Sequence, residues 1–276
     1  SFWIITQYLQ NTFPRIYGPS GIRCEGDTDQ EAQEKVSKYF NLVGSLASEQ
    51  PNYFATLFAP MIPQINVNLI NRNFDINTRN SSISVLESVA MSLPDLIYND
   101  FLSYVVNTSI FAIELFQFNE ELQSIYAPQD IYKNICLNLI EEIEPFEILE
   151  KFIPAIDALN SMNDPNSLIA VFMILDSIQS FCIDAIIESF DSIQQFIVKA
   201  ISTGNPIVLE MVSKFIGNLS KENSSIACNL LFTCEQSLLN FVQFDFVVDA
   251  LRDIYDESSK NPIDSSLSLN CLMNQL

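Results

Sequence analysis

Apolar residues recur along most of this chain at steps of three and four positions, which is the spacing of one face of an α-helix. Residues 75–97, DINTRNSSISVLESVAMSLPDLI, show the pattern clearly. The members of their stripe are Ile83, Leu86, Val89, Ala90 and Leu93. Asp75 or Asn77 can accept hydrogen bonds from the first free amides of such a helix. Pro94 ends it, because proline disfavours helical geometry in the preceding residue, and the same proline suits the first turn of the next helix.

The same layout of cap, stripe and proline stop recurs, and it predicts helices that come in pairs. The predicted helices cover about 29–48, 52–71, 75–93, 94–115, 128–143, 146–162, 164–181, 183–201, 205–219, 223–235 and 237–255, with a last one from Pro262. Pro60 and Pro63 are expected to bend the second of these helices. The pairing between residues 205 and 260 is left open by the pattern.

The first helices of successive pairs begin near residues 28, 76, 128, 165 and 205. A repeat of about 40 to 50 residues with two helices is typical of HEAT-type solenoids, in which stacked hairpins bury a continuous core. We therefore predict an all-α fold, a right-handed α-solenoid of antiparallel helix hairpins. Residues 1–276 would form a single segment of five to six pairs. The chain begins with Ser1, and we expect it to be part of a longer chain; an ordinary helical bundle with coincidental spacing is the alternative.

The charge of the chain narrows the class of partner. Its 34 acidic residues against 13 basic residues give a formal net charge of −21. A nucleic-acid-binding protein needs a basic footprint, and anionic membranes repel an acidic surface, so neither partner is expected. No run reaches the roughly 20 apolar residues that span a bilayer. A basic protein or peptide is electrostatically favoured, although acidity can also serve solubility alone.

Several kinds of catalytic and cofactor site are missing from the sequence. The chain has no histidine, so Ser-His and Cys-His nucleophiles and histidine-ligated metals are excluded. Neither nucleotide-binding glycine motif occurs, and the six cysteines form no CxxC pair, which favours buried thiols in a reducing compartment. We predict no cofactor, no metal and no enzymatic activity. A carboxylate-pair glycosidase on a helical toroid is a remaining alternative.

Acidic residues recur at helical spacing in the second half of the chain. Asp245, Asp249, Asp253 and Asp256 fall on one helix face. Two looser sets consist of Asp184, Glu188 and Asp191, and of Glu147, Glu150 and Asp157. If 237–255 is a second helix, all three sets lie on second helices, and we expect them to form a negative trough on the concave surface for a Lys/Arg-rich segment. A solvated helix face is the competing interpretation.

Several stretches resemble the central HEAT repeats of importin-beta superfamily receptors, most of all the importin-5 type. The stretches LASEQPNYFATLFAPMIPQI and DINTRNSSISVLESVAMSLPDLI carry the family pattern at Pro51, Thr78, Arg79, Leu86, Glu87 and Pro94. The stretch EEIEPFEILEKFIPAIDALNSMNDPNSLIAVFMILDSI matches a further unit at Pro154, Asp164, Pro165 and Ile174, and residues 237–251 resemble a later helix. Two departures stand out: DPNSLIAV and NPIVLEMV lack the arginine that often ladders between repeats, and residues 118–130 are short where the family carries a long acidic insert.

The resemblance implies a nuclear transport receptor that shuttles between cytoplasm and nucleus. Such receptors bind basic cargo, including nuclear-localisation signals and ribosomal or chromatin proteins, on their inner surface. They contact Phe-Gly nucleoporins between outer helices, and Ran with GTP releases cargo mainly through amino-terminal repeats, which we expect to lie outside this chain. A HEAT-type scaffold for a phosphatase, a vesicle coat or a kinase is the alternative.

Overall fold

The computed structural model describes residues 4, 7–12, 28–118, 144–162, 164 and 166–260. Within these residues the structure contains helices and no β-strand. They form an all-α solenoid of helix hairpins, as the periodicity predicts. Contacts divide the chain into two compact units, 1–141 and 142–276, which are described separately. The predicted helices at 128–143 and from Pro262 lie outside the described residues, and a single domain over the whole chain stays a prediction.

Unit 1 contains two helix hairpins in its described part. Its helices are α1 (Asp29–Glu49), α2 (Pro51–Phe58), a 3-10 turn (Ala59–Met61), α3 (Ile62–Asn68), α4 (Ile76–Ser92), α5 (Pro94–Tyr98) and α6 (Phe101–Phe118). The first helix of one hairpin, α1, packs along the first helix of the next, α4, and the second helices α3 and α6 pack against each other. We call these the first-helix layer and the second-helix layer.

Unit 2 repeats this two-layer arrangement. Its helices are α7 (Pro145–Asn160), α8 (Ser167–Ile178), α9 (Ile183–Glu188), α10 (Phe190–Ser202), α11 (Pro206–Glu222), α12 (Ser224–Leu239) and α13 (Asp245–Ser258). The first-helix layer consists of α8, α11 and α13 in contact with one another in that order. The second-helix layer consists of α7, α9, α10 and α12, since α7 contacts α9 and α10 contacts α12.

The helix starts follow from local hydrogen bonds. Thr28 begins α1 with a capping box, in which its side chain and that of Glu31 bond reciprocally to each other's backbone amides. Asp75 Oδ1 accepts from the Thr78 amide at 2.7 Å and begins α4. Asn205 and Asn223 cap α11 and α12 in the same way. These are the residue types whose short side chains reach the free amides of a first turn, so the starts were predictable.

Helix breaks concentrate in the second-helix layer. The first helices α1, α4, α8, α11 and α13 are continuous. By contrast, three second helices are interrupted. The break between α2 and α3 lies at Ala59–Met61, as the prolines predict. The break between α5 and α6 lies at Asn99 and Asp100, and the break between α9 and α10 lies at Ser189. The latter two breaks have no proline inside them and were not predicted.

The core of unit 1 contains an unusually polar layer. Thr78, Asn80, Ser81 and Ser82 of α4 are buried, in addition to the predicted apolar stripe. Ser81 bonds to Ser37 of α1, and Asn68 Nδ2 donates to Ser82 Oγ at 2.6 Å. These hydrogen bonds satisfy Ser81 and Ser82, which would otherwise be costly to bury, whereas Asn80 Oδ1 and Asn68 Oδ1 have no partner among the described residues.

The core of unit 2 is centred on α8. Every residue from Ser167 to Ile178 is buried except Asp176, which is partly exposed. Phe172 lies against Phe215 of α11, with ring centroids 5.7 Å apart. An α-helix that is apolar on all sides belongs in the middle of a core. No helix among the described residues is long and apolar enough to cross a membrane.

The predicted helix at 237–255 is wrong in its start, and the structure settles the pairing that the pattern left open. Residues 237–239 belong to α12, residues 240–244 form turns, and α13 begins at Asp245. The ring of Phe241 lies beside Gly204, which has a positive φ of 62° in the turn before α11. Packing of this aromatic side chain against the glycine turn explains why the apolar run at Phe241 does not continue a helix. Consequently α12 is the second helix of the α11 hairpin, and α13 is the first helix of the next pair.

Candidate binding surface

Two of the three predicted acidic sets lie together in the second-helix layer of unit 2. One set is carried by α7, and the other by α9 and the start of α10, and α7 and α9 are in contact. All six side chains are exposed. We call them the second-helix acidic surface: Glu147, Glu150, Asp157, Asp184, Glu188 and Asp191.

The second-helix acidic surface is largely uncompensated. Within the described part of the chain, none of its six carboxylates forms an ion pair or accepts a side-chain hydrogen bond. The only basic residues on α7, α9 and α10 are Lys151 and Lys199. Lys199 Nζ is held by Asn160, whose carbonyl oxygen and Oδ1 accept at 3.2 and 2.5 Å. The six carboxylates therefore outnumber the two lysines on these helices, and none of them is in an ion pair among the described residues.

The third acidic set has a different position from the one predicted. Asp245, Asp249, Asp253 and Asp256 lie on α13, which belongs to the first-helix layer rather than to the second. The expectation that all three sets share one layer is therefore wrong. The expectation depended on a helix at 237–255 acting as a second helix, and the structure instead makes α12 the partner of α11.

Two of the four α13 aspartates already have cationic partners. Asp253 Oδ2 lies 2.7 Å from Lys221 Nζ of α11, and Asp249 Oδ1 lies 2.9 Å from Arg252 Nη1 on its own helix. The α13 set thus offers less free charge to a partner than its spacing suggested. It remains a weaker candidate for cargo contact than the second-helix acidic surface.

A ladder of ion pairs links successive first helices in unit 2. Asp176 of α8 binds Lys214 of α11 at 2.9 Å, and Lys221 of α11 binds Asp253 of α13. Sequence reasoning sought a ladder in arginines next to the helix starts and missed these lysines. In the sequence, these ion pairs correspond to a Lys and an Asp in the latter halves of two first helices that are one repeat apart. The correspondence can be recognised only when it is known which helices are neighbours.

Arg79, which follows a helix start where the family often has an arginine that ladders between repeats, lies in a buried charge cluster in unit 1. Its Nη1 donates to Glu114 Oε2 at 2.7 Å and to the Leu69 carbonyl at 3.1 Å, and its guanidinium lies 5.0 Å from the centre of the Phe111 ring. Arg72 reaches the other oxygen of Glu114 at 3.0 Å. Arg79 thus joins the end of one hairpin to the second helix of the next. Such a role is structural rather than cargo-binding.

The described residues show no site for a metal ion. Within them, no group of three or more Cys, Asp or Glu side chains is placed to hold one. Cys182 and Cys234 are buried, and Cys228 is partly buried. Burial raises the pKa of the Cys182 thiol to about 12 and also raises the pKa of Cys234. A thiol with a raised pKa is a poor nucleophile because the reactive species is the thiolate.

We expect Cys182 and Cys234 to resist alkylation in the folded protein. Both thiols stay protonated at pH 8, since their pKa values are raised above the ordinary value of 9.0. Iodoacetamide treatment at pH 8 followed by mass spectrometry should leave both unlabelled, whereas the urea-denatured protein should be labelled at both. Rapid labelling of either thiol in the native state would contradict their burial.

Comparison with models of protein families and with curated protein sequences finds no match. Solved structures with a similar fold include several of the karyopherin Kap121p. A multiply substituted mutant of Kap121p superposes with a TM-score of 0.70 at 15% identity, over 96% of this chain and 27% of the Kap121p chain. Kap121p bound to the extreme C-terminus of the protein phosphatase Cdc14p gives 0.68 at 14% identity, with the same coverage of 96% and 27%.

A third structure, Kap121p bound to RanGTP, superposes with a TM-score of 0.64 at 14% identity, over 98% of this chain and 32% of that one. This chain therefore spans less than a third of each of these structures. At such low identity the likeness concerns the fold. The described residues have the helix-hairpin fold of a karyopherin HEAT-repeat solenoid.

Proposed function

We propose that this chain is a segment of a nuclear transport receptor of the importin-beta superfamily, of the importin-5 type, which binds basic cargo on the second-helix acidic surface. The observation that carries the proposal is the row of six exposed carboxylates on adjacent second helices that lack partners among the described residues. In the bound state each would gain a cationic partner without giving up an existing ion pair. Cargo contacts at α13, by contrast, would compete with Lys221 and Arg252.

The partners of the similar structures support the class of function. Kap121p has been solved bound to Pho4p, Ste12p, the SUMO protease Ulp1p, Nup53p and RanGTP. By analogy, the whole receptor would shuttle between cytoplasm and nucleus, contact Phe-Gly nucleoporins and release cargo to Ran with GTP, with the main Ran contacts in repeats outside this segment. Binding and release of this kind require no catalysis, and the proposal assigns no enzymatic role.

The test compares two variants that each remove four negative charges. The second-helix variant carries Glu147→Gln, Glu150→Gln, Asp184→Asn and Glu188→Gln, and the α13 variant carries Asn at its four aspartates. We expect the affinity for a fluorescent Lys/Arg-rich peptide to fall at least about fivefold in the former, because four exposed ion pairs contribute about 1–3 kcal/mol together. The α13 variant should lose less than about threefold, since half of its acids are already paired. Fluorescence anisotropy at 50 and 300 mM salt measures both.

Two results would count against the proposal. Equal losses in the two variants would show that only the total charge matters, and no loss in the second-helix variant would place the peptide elsewhere. Affinity for the unmodified protein should also fall with salt, because exposed charges are screened. A pull-down that returns scaffold partners and no basic nuclear protein would favour the alternative HEAT-type adaptor.

A further inference from the structure

A groove in unit 2 lies where the first helices α8 and α11 end, away from the helix faces discussed so far. Its volume is about 280 Å³. One wall is the turn that follows α8 and the start of α9, and the other is the last turn of α11. The residues that line it are Gln179, Ser180, Ile183, Asn218, Lys221 and Glu222. Most of these side chains are polar, although the groove lies between two packed hairpins.

Asp176 fixes the orientation of two amide side chains in this groove. Its Oδ1 accepts from Gln179 Nε2 at 3.2 Å and from Asn218 Nδ2 at 3.1 Å, while its Oδ2 binds Lys214. An ionised carboxylate only accepts hydrogen bonds, so the nitrogen of each amide must face Asp176. The carbonyl oxygens of Gln179 and Asn218 therefore lie on the other side of their amide carbons and are left for a further partner.

The side chain of Gln179 indicates that a hydrogen-bond donor is missing from the groove. Only 9% of its surface is exposed, and its Oε1 has no hydrogen-bond partner among the described residues. Buried acceptors are nearly always satisfied, and an unsatisfied one is destabilising. A ligand that donates an N–H group in this groove would remove that cost.

The charges around the groove favour a cation. Glu222 carries a carboxylate at its rim, and the carbonyl ends of α8 and α11 add the negative ends of two helix dipoles. The one basic residue in the lining, Lys221, is engaged by Asp253 of α13 at 2.7 Å. Acceptors and negative charge thus dominate the space that remains.

We propose that this groove binds the guanidinium group of an arginine in an extended segment of the basic partner. A guanidinium presents five N–H donors in one plane, which suits several acceptors at once better than a lysine ammonium does. The acceptors are Gln179 Oε1, Asn218 Oδ1 and the Glu222 carboxylate. The inference rests on the proposed function for the nature of the partner. It adds a second anchoring point outside the second-helix acidic surface.

The test uses a peptide with a single arginine, acetyl-Gly-Ser-Ala-Arg-Ala-Ser-Gly-amide, and the same peptide with citrulline, which is neutral and nearly isosteric. Each is titrated into the ¹⁵N-labelled chain, and the side-chain amide signals are followed by NMR. We expect the arginine peptide to shift the Gln179 and Asn218 signals and to bind at least about fivefold more tightly than the citrulline peptide, since charged hydrogen bonds are the stronger ones.

Variants separate the groove from the rest of the surface. Gln179→Leu removes the buried acceptor, and Glu222→Gln removes the rim charge without altering the core. Each should weaken the arginine peptide at least about threefold, in line with the loss of a charged hydrogen bond. Gln236→Leu, at an exposed position of α12, is the matched control and should leave binding unchanged. Circular dichroism verifies that each variant is folded.

The outcomes distinguish this inference from the proposed function. Equal binding of the arginine and citrulline peptides would refute the proposed arginine site in the groove. Unchanged binding of the arginine peptide in both Gln179→Leu and Glu222→Gln would refute it as well. If those variants bind normally while the second-helix variant loses the Lys/Arg-rich peptide, the groove is wrong and the proposed function stands. If they lose the arginine peptide while the second-helix variant retains the Lys/Arg-rich one, the groove is supported and the second-helix site is wrong.

Discussion

Replacing Arg79 with methionine is expected to lower the free energy of unfolding by about 3 kcal/mol, because removal of one partner of a buried ion pair leaves the other charge poorly compensated. The Arg79 and Glu114 side chains are only 7% and 11% exposed. The variant also loses the hydrogen bond to the Leu69 carbonyl and the contact with Phe111. Urea unfolding followed by far-UV circular dichroism measures the loss.

Arg72 provides a matched control for this prediction, because it binds the same carboxylate. Its side chain is 84% exposed, and exposed ion pairs contribute about 0–1 kcal/mol. Arg72→Ala should therefore shift the unfolding midpoint little. The double variant Arg79→Met with Glu114→Leu should recover part of the loss, since buried ion pairs can often be exchanged for apolar contacts. Equal effects of Arg72 and Arg79 substitutions would refute the assignment of the cluster as buried.

Replacing Phe172 with alanine is expected to cost about 3–5 kcal/mol, the range for removal of a large aromatic side chain from a packed core. Phe172 is fully buried on α8, and its ring lies against Phe215 of α11. The loss combines apolar transfer with the cavity left between two first helices. Thermal and urea unfolding of the purified variant provide the measurement.

Phe232 is the matched control for Phe172. It lies on α12 in the same unit and is 82% exposed, so Phe232→Ala should change the free energy of unfolding by less than about 0.5 kcal/mol. A large effect at Phe232, or a small one at Phe172, would mean that the core of unit 2 is not centred on α8.

Local signals in the sequence were sufficient for most helices. The cap at Asp75, the stripe from Ile83 to Ala90 and the stop at Pro94 define α4 within one or two residues. Such features depend only on neighbours within a turn or two. They also explain why the interruption near Pro60 was foreseen while the break at Ser189, which has no proline or glycine, was not.

Features that depend on contacts between distant segments could not be read in this way. The ring of Phe241 lies against Gly204, which is 37 positions earlier in the chain, and the layer of α13 follows from its contact with α11. The aspartates of α13 were correctly found on one helix face, yet their partners Lys221 and Arg252 became apparent only in three dimensions. The spacing pattern thus identified the three acidic sets, but it did not show which of their carboxylates are already in ion pairs.

The uneven distribution of helix breaks has a mechanical consequence for unit 2. An unbroken helix resists bending, because each carbonyl is tied to an amide one turn away, whereas a break confines rotation to a few dihedral angles. The wall made by α8, α11 and α13 is unbroken and cross-linked by ion pairs, while the opposite wall is interrupted at Ser189. We therefore expect the interrupted wall to bend more easily than the unbroken one. The second-helix acidic surface lies on the interrupted wall, so in a receptor that binds cargo as proposed, rotation at Ser189 would adjust the spacing of its carboxylates to partners of different length.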